Sequence, residues 1–369
     1  MLNKHLAVCA VLLLSGCSWL GGGGNGATGK LELQPVEYGD LRGWSIDSQD
    51  DALDAFNKSC IAFNAQPETA AAGKGQLLAP VKVWKEICRK AATVPMDDSG
   101  QARIFFESQF VPFKAYDGSN PVGFYTGYYE PLLKGSLTRQ RPYVYPLYGL
   151  PPEGTPQFTR AQIDFNSLNN IAPVLAYVDD PVQLFFLHVQ GSGRIQLDNG
   201  STLRVGYAGS NGLPYVSIGK QMVKKGIMTK DEASMQSIKQ WLYDHPSDMW
   251  QAMWENTSYV FFRQIQGDPV GTQQVPLTPN RSLAVDADFI PLGMPVFIDT
   301  VYPAVEGSPL SFSRKLMIAQ DTGGAIKGPL RADIFFGFGP AAEQRAGLMR
   351  SGGDSYILVP RPLAQALVK

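Results

Sequence analysis

The sequence predicts a mainly β protein with some helices, in which strands close into a barrel. From Phe110 onward, short aromatic and β-branched runs alternate with glycine and proline turns, as in residues 123–131 and 141–147, and this pattern is typical of strands joined by tight turns. The segment Asp198-Asn199-Gly200 is a strong hairpin signal between two predicted strands. Because the apolar runs do not alternate with polar residues, a closed barrel is favoured over an open sheet with one exposed face.

Helices are predicted outside the strand-rich regions, over about residues 31–93, 100–110, 217–243 and 341–349. Ser48 resembles the first residue of a capping box before one of them. The run 184–190 is predicted as a strand, and His188 within it as a hydrogen-bonded structural histidine. Only three histidines are present, which argues against a histidine-rich zinc site or a cluster of catalytic histidines.

The composition is that of a globular protein with a sizeable core. Hydrophobic residues make up 44% of the 369 residues, and the chain is long enough for two ordinary domains. A formal net charge of −1 gives no basis for binding nucleic acid. No cofactor is predicted, and a monomer is the default expectation.

The N-terminus resembles the leader of a bacterial lipoprotein. A basic start and a short apolar run precede Leu14-Ser15-Gly16-Cys17, which resembles a lipobox. We therefore expect a signal peptide over residues 1–16, lipidation of Cys17, and a glycine-rich tether up to residue 30. Because Ser18 rather than an aspartate follows, we expect an outer-membrane anchor facing the periplasm. The alternative is an ordinary secretory signal with a chance cysteine.

Two cysteines remain after the leader, and both lie on the apolar faces of helical patterns. Cys60 follows Phe56 by four residues, and Cys88 follows Trp84 by the same spacing. An oxidising compartment permits a disulfide between the two thiols. The alternative is a pair of buried free thiols that behave as small hydrophobes, and either state has a structural role.

Three aspartates near the C-terminus lie inside apolar runs. Asp286, Asp321 and Asp333 are costly to bury unless they are hydrogen-bonded, paired or protonated. They therefore predict a polar site in a β-rich core, and the many tyrosines and glycines are compatible with a carbohydrate groove. Calcium binding by Asp286, Asp288 and Asp321 was the alternative, but no loop has the dense acidic spacing of a calcium site, so no metal is predicted.

Several motifs occur in a recognisable order along the chain. They are residues 124–131, 186–193 and 256–262, followed by the segment with the three aspartates. This series resembles the membrane-bound lytic murein transglycosylase A family. The resemblance implies a double-psi β-barrel built from residues 31–130 and 263–369, with the three-aspartate segment at about 280–360. It also implies a second β-domain inserted over residues 131–262, with a groove between the two domains.

The resemblance also implies an activity on peptidoglycan glycan strands, in cell-wall turnover. The family cleaves the β-1,4 bond between N-acetylmuramic acid and N-acetylglucosamine without water, and the muramyl C6 hydroxyl closes on C1 to give a 1,6-anhydro product. Asp333 matches the catalytic acid and base, and Asp321 and Asp286 would support it or serve as structural carboxylates. The substrate-binding candidates that the resemblance suggests are Thr126, Tyr129, Gln190, Gly191 and Ser192.

Two other functions compete with this interpretation. A muramidase that uses water would need a second catalytic carboxylate, for which Glu130 or Asp321 is available. A wall-binding lipoprotein without catalytic activity would keep the barrel and the groove but have no use for Asp333. The mass of the reaction product distinguishes a muramidase from a transglycosylase, because an anhydro end is one water lighter than a reducing end. Replacing Asp333 distinguishes an enzyme from a wall-binding lipoprotein, because the replacement has no effect on a protein without catalytic activity.

Overall fold

The structure is a computed structural model that describes residues 29–152, 157–165, 167–267, 269–305, 307–323 and 326–367. The predicted signal peptide, Cys17 and most of the glycine-rich tether lie outside the described residues. Within the described ranges, no helix combines the length and the apolar character needed to cross a membrane.

The described residues form strands and helices throughout. The strands are β1 Leu31–Pro35, β2 Ala71–Ala72, β3 Ala79–Pro80, β4 Phe110–Asp117, β5 Gly123–Glu130, β6 Leu132–Ser136, β7 Tyr145–Tyr148, β8 Val174–Val178, β9 Ser192–Leu197, β10 Thr202–Ser210, β11 Val260–Gln264, β12 Ser282–Val285, β13 Pro295–Tyr302, β14 Ser311–Thr322, β15 Arg331–Phe338 and β16 Arg350–Pro360. The helices are α1 Gln49–Asn64, α2 Val81–Ala91, α3 Ser99–Gln109, α4 Arg160–Asp164, α5 Pro181–Gln190, α6 Ile218–Lys224, α7 Met235–Asp244, α8 Pro246–Trp254, α9 Pro340–Leu348 and α10 Arg361–Leu367.

Strands from both ends of the chain close a barrel. The strand order is β16-β13-β14-β12-β15-β5, and β5 pairs again with β16, while β4 and β1 extend the sheet beyond β16. The pairs β12–β14 and β15–β5 are parallel. This closure confirms the prediction of a β-rich fold with a barrel, and it brings residues near 126 beside residues near 333.

A second sheet holds the central part of the chain, in the order β11-β10-β9-β6-β8-β7. Its outer strands approach each other through a bridge between Gly149 and Phe262. The chain leaves the barrel after Glu130 and enters this sheet at Leu132. Two β units thus exist, as predicted, and the exact domain boundaries stay a prediction.

The N-terminal helices cover the barrel with an aromatic core. Phe63 of α1 stacks on Trp84 of α2 with 4.8 Å between ring centroids, and Phe56 contacts Phe106 and Phe110. Sulfur atoms of Cys60 and Cys88 are joined in a disulfide between α1 and α2. Of the two states left open by the sequence, the structure therefore contains the bridge.

Removing this disulfide is expected to destabilise the fold. The bridge closes a loop with a sequence separation of 28, so the double variant Cys60→Ala with Cys88→Ala should lower the free energy of unfolding by about 2–4 kcal/mol. Urea unfolding of the oxidised proteins measures this difference. Wild-type protein reduced with dithiothreitol is the control and should match the variant; equal stability of all three proteins would contradict the expectation.

Three local predictions were wrong. Residues 184–190 belong to α5, because Asp180 caps its first N–H groups, Pro181 occupies its first turn, and Gly191 ends it in the left-handed region with φ of 79°. The helix is buried on nearly all sides, so it lacks the polar face that separates a helix from a strand in sequence. Ser48 makes no side-chain cap, and residues 31–35 form a strand with β4 rather than a helix.

Candidate active site

Two of the three predicted aspartates lie in one row across the barrel wall. Ala284 of β12 is the register partner of Asp321 on β14 and of Asp333 on β15. The next residue in the row is Thr126 of β5, which pairs with Asp333. Because residues in register share one face of a sheet, these four side chains lie on the same face.

Asp333 is the most buried carboxyl of this row, with 1% of the residue exposed. Its Oδ1 accepts a hydrogen bond from the Thr126 hydroxyl and lies 2.6 Å from Nη1 of Arg331. Burial raises the pKa of Asp333, and the charge of Arg331 and the bond from Thr126 offset only part of this effect. The carboxyl therefore keeps its proton to a higher pH than an ordinary aspartate.

Arg331 is held firmly beside Asp333. Its guanidinium donates to the Thr126 hydroxyl and to its neighbour's backbone carbonyl, both at 2.6 Å, and lies 5.1 Å from the ring centre of Phe124. Arg331 is not among the site residues predicted from the sequence. The alternation of side chains along a strand could have indicated Arg331, because residues two apart, such as Arg331 and Asp333, lie on the same face of β15.

Asp321 fastens a loop to the barrel wall. Its Oδ1 accepts from the backbone N–H and the hydroxyl of Thr272 and from the backbone N–H of Thr322, each at 2.9 Å. Burial raises the pKa of Asp321, and these hydrogen bonds offset part of the increase. Burial also raises the pKa of Tyr128, and the charge of Asp321 raises it further.

A cleft of about 730 Å³ lies between the barrel and the second sheet. Tyr128 and Phe335 form part of its floor, with ring centroids 5.1 Å apart. Asp321 lines the barrel side. The residues that line the cleft from the other side are Gln190, Gly191, Ser192, Gly206, Tyr207 and Arg263. An aromatic floor with polar groups at its edge suits a sugar chain.

Comparison with known proteins gives matches over most of the chain. Residues 124–263 match the MltA specific insert domain, and residues 281–359 match the 3D domain. The crystal structure of MltA from Neisseria gonorrhoeae, in its monoclinic form, superposes with a TM-score of 0.78 at 31% identity, covering 95% of this chain and 97% of that one. This chain belongs to the membrane-bound lytic murein transglycosylase A family.

Relatives from Escherichia coli support the assignment. The membrane-bound lytic murein transglycosylase A of strain K12 is 36% identical over 244 residues, which are 64% of this chain and 66% of the relative. The chain thus spans just under two thirds of that relative's length. A structure of E. coli MltA with bound chitohexaose superposes with a TM-score of 0.66 at 26% identity, covering 89% of this chain and 91% of that one.

The structure brings some of the predicted family site residues together and places others elsewhere. Gln190, Gly191 and Ser192 line the cleft, and Thr126 contacts Asp333. Tyr129 is 2% exposed and lies on the opposite face of β5, within the main core. Adjacent residues of a strand point to opposite faces, so Tyr128 occupies the cleft instead.

Asp286 follows the last residue of β12, and its carboxylate accepts hydrogen bonds from backbone N–H groups of two turns. One oxygen accepts from the backbone N–H of Asp288 at 3.2 Å, and the other accepts from that of Gly328 at 2.9 Å. Asp286 is not among the described residues that line the cleft. These contacts favour the structural role that the sequence left open.

Replacing Asp286 should therefore affect stability rather than turnover. Asp286→Ala leaves two turn N–H groups without their acceptor, so we expect a loss of about 1–3 kcal/mol in the free energy of unfolding. The rate per folded molecule should stay close to wild type. Asp288→Ala is the control, because the Asp288 side chain is exposed and pairs with Lys74 at the surface. A large fall in the catalytic rate of Asp286→Ala with unchanged stability would show that Asp286 has a role in the reaction.

Proposed function

We propose that this chain is a lytic transglycosylase that cleaves peptidoglycan strands bound in the cleft. The observation that carries the proposal is the buried carboxyl of Asp333, which Thr126 and Arg331 contact in the barrel wall. Burial raises the pKa of this carboxyl. The chitohexaose complex of the E. coli relative supports a glycan substrate. Membership of the family supports the 1,6-anhydro reaction rather than hydrolysis.

Asp333 would act first as an acid and then as a base. It gives its proton to the oxygen that leaves C1 of the muramyl residue, and the C1–O4 bond breaks. The muramyl C6 hydroxyl then bonds to C1, and its proton returns to Asp333. The substrate supplies the nucleophile, so this sequence needs one acid and base, whereas glycoside hydrolysis ordinarily uses two carboxyl groups.

Asp333 is not among the described residues that line the cleft, and its carboxyl is covered in this structure. Its side chain is 2% exposed and sits behind Thr126 and Arg331. A glycosidic oxygen can reach Asp333 only if one of these two side chains moves aside. Substrate binding would thus expose the acid, and burial in the closed state favours its protonated form.

A muramidase that uses water is the second candidate, because one observation favours it. Asp321 lines the same cleft and has a raised pKa, so a second carboxyl group is close to the substrate. Its Oδ1 already accepts three hydrogen bonds from the barrel wall and the 272 loop. We therefore assign Asp321 to positioning the cleft wall rather than to activating water.

We also propose attachment to the outer membrane through lipidated Cys17, with the enzyme facing the periplasm. The lipobox in the sequence supports this, and the curated relatives are named as membrane-bound. Metabolic labelling with a palmitate analogue should label the full chain and not the Cys17→Ala variant. Equal labelling of the two proteins would contradict the proposal.

The activity is tested by digesting purified peptidoglycan with the chain lacking residues before Ser18. Mass spectrometry of the soluble products should find anhydromuramyl ends, which are one water lighter than reducing ends. Products with reducing ends would make the protein a hydrolase. No products, with binding to the wall retained, would favour the wall-binding lipoprotein.

A further inference from the structure

A second cavity lies within the inserted β-domain and shares no lining residue with the cleft. It is lined by α4, α5, α8 and β7, with Tyr259 beside it. The polar side chains at its wall include Arg160, Asp164 and His188, and aromatic rings form much of the rest. None of these residues has a role in the reaction proposed above.

His188 lines this cavity and has one ring N–H without a hydrogen-bond partner among the described residues. Nη1 of Arg160 lies 2.9 Å from its Nδ1, and because a guanidinium can only donate, Nδ1 accepts and the ring carries its proton on Nε2. Burial and the charge of Arg160 lower the pKa of His188 well below its usual value, so the ring is neutral. Among the described residues, Nε2 has no hydrogen-bond partner, although His188 is only 4% exposed.

Asp164 supplies an acceptor to the same cavity. One of its carboxylate oxygens accepts from the indole N–H of Trp254 at 2.9 Å. The guanidinium of Arg160 donates to the backbone carbonyls of Asn256 and Ser258, so it is fixed in place while its charge offsets that of Asp164. A cavity with one donor, one acceptor and balanced charge selects a neutral ligand that both accepts and donates hydrogen bonds.

Aromatic rings continue from the cavity onto the surface, and we call them the aromatic strip: Tyr145, Trp250, Trp254 and Phe165. Successive ring centroids are 6.1, 6.0 and 5.0 Å apart. Phe165, at the outer end, is 70% exposed. Tyr145 and Trp250 also line the cavity. Flat aromatic faces of this kind pack against the apolar faces of sugar rings.

We propose that the cavity and the aromatic strip bind an N-acetylated amino sugar, outside the catalytic cleft. The acetamido carbonyl would accept from Nε2 of His188, the acetamido N–H would donate to Asp164, and the sugar ring would stack on Trp250. The identity of the natural polymer, a peptidoglycan strand, rests on the function proposed above. The fit to an acetamido group does not rest on that function, because it follows from the residues that line the cavity.

The test uses the indole N–H signals of the intact protein in two-dimensional NMR. Trp250 and Trp254 report on the aromatic strip, while no tryptophan is among the described residues that line the cleft. We expect chitotriose to shift these two signals saturably, and cellotriose, which lacks acetamido groups, to leave them unchanged. Asp164→Leu keeps nearly the size of the side chain but removes the acceptor, and it should weaken chitotriose binding by about tenfold or more.

Three results would overturn the proposal. They are no saturable shift with chitotriose, an equal response to cellotriose, and equal chitotriose affinity of wild type and Asp164→Leu. The Asp333→Asn variant should bind chitotriose at the aromatic strip like wild type, because Asp333 does not line this cavity. Binding there without anhydro products from the wild-type protein would overturn the proposed reaction and support this second site.

Discussion

Asp333→Asn is expected to reduce the release of anhydromuramyl products by about a thousandfold or more. Asparagine fills the same space and can accept the hydrogen bond from Thr126, but it cannot give a proton to the leaving oxygen. The rate of product release from purified peptidoglycan, followed by chromatography and mass spectrometry, measures the effect. A variant that retains a tenth of the wild-type rate would show that Asp333 is not the acid.

Stability measurements separate loss of chemistry from loss of fold. Burial raises the folded-state pKa of Asp333 above its unfolded value, so ionisation costs more in the folded protein. The corresponding stability is present at low pH and is lost as the pH rises through the folded pKa. Asp333→Asn should therefore melt at neutral pH no lower than wild type. A much lower melting temperature would mean that the activity loss has a structural cause.

Arg331→Met should shift the pH dependence of the reaction. The positive charge 2.6 Å from Asp333 favours the carboxylate, so removing it raises the pKa of Asp333 further. Asp333 of the variant then stays protonated to a higher pH than in the wild type. We expect the alkaline limb of the kcat profile to move to higher pH.

A second arginine of the barrel provides the matched control. Arg314 pairs with Asp299 on β13, and its described contacts do not include Asp333. Arg314→Met should leave the alkaline limb in place. If Arg331→Met also left it in place while the rate changed, Arg331 would act by contacting substrate and not through the pKa of Asp333.

The sequence predicts the barrel better than it predicts individual elements. Short apolar runs between glycine and proline turns were sufficient to indicate a β-rich closed sheet, because the strand pattern is local. Helix α5 was missed because it is buried on nearly all sides and has no polar face. Pairing of β5 with β15 could not be derived from local pattern, because the two strands are parallel and their partners lie 207 residues apart.

For the candidate site too, the sequence indicates some residues but does not show which strands bring them together. Asp333 and Asp321 stand out in sequence because a carboxylate inside an apolar run needs a compensating environment. Tyr128 and Phe335 do not stand out, since aromatic residues occur on both faces of their strands, and only the register shows which ones face the cleft. Tyr129, which the family resemblance suggests, lies in the core on the opposite face of β5 from Tyr128.

The central claim is that one carboxyl, Asp333, acts as acid and base while the substrate's own C6 hydroxyl replaces water. Digestion of peptidoglycan in water enriched in oxygen-18 tests it most directly, with mass spectrometry of the newly formed muramyl ends. The account predicts anhydro ends without solvent oxygen from the wild type, and no new ends from Asp333→Asn. Oxygen-18 at C1 of the new ends would show that water attacks, and would contradict the account.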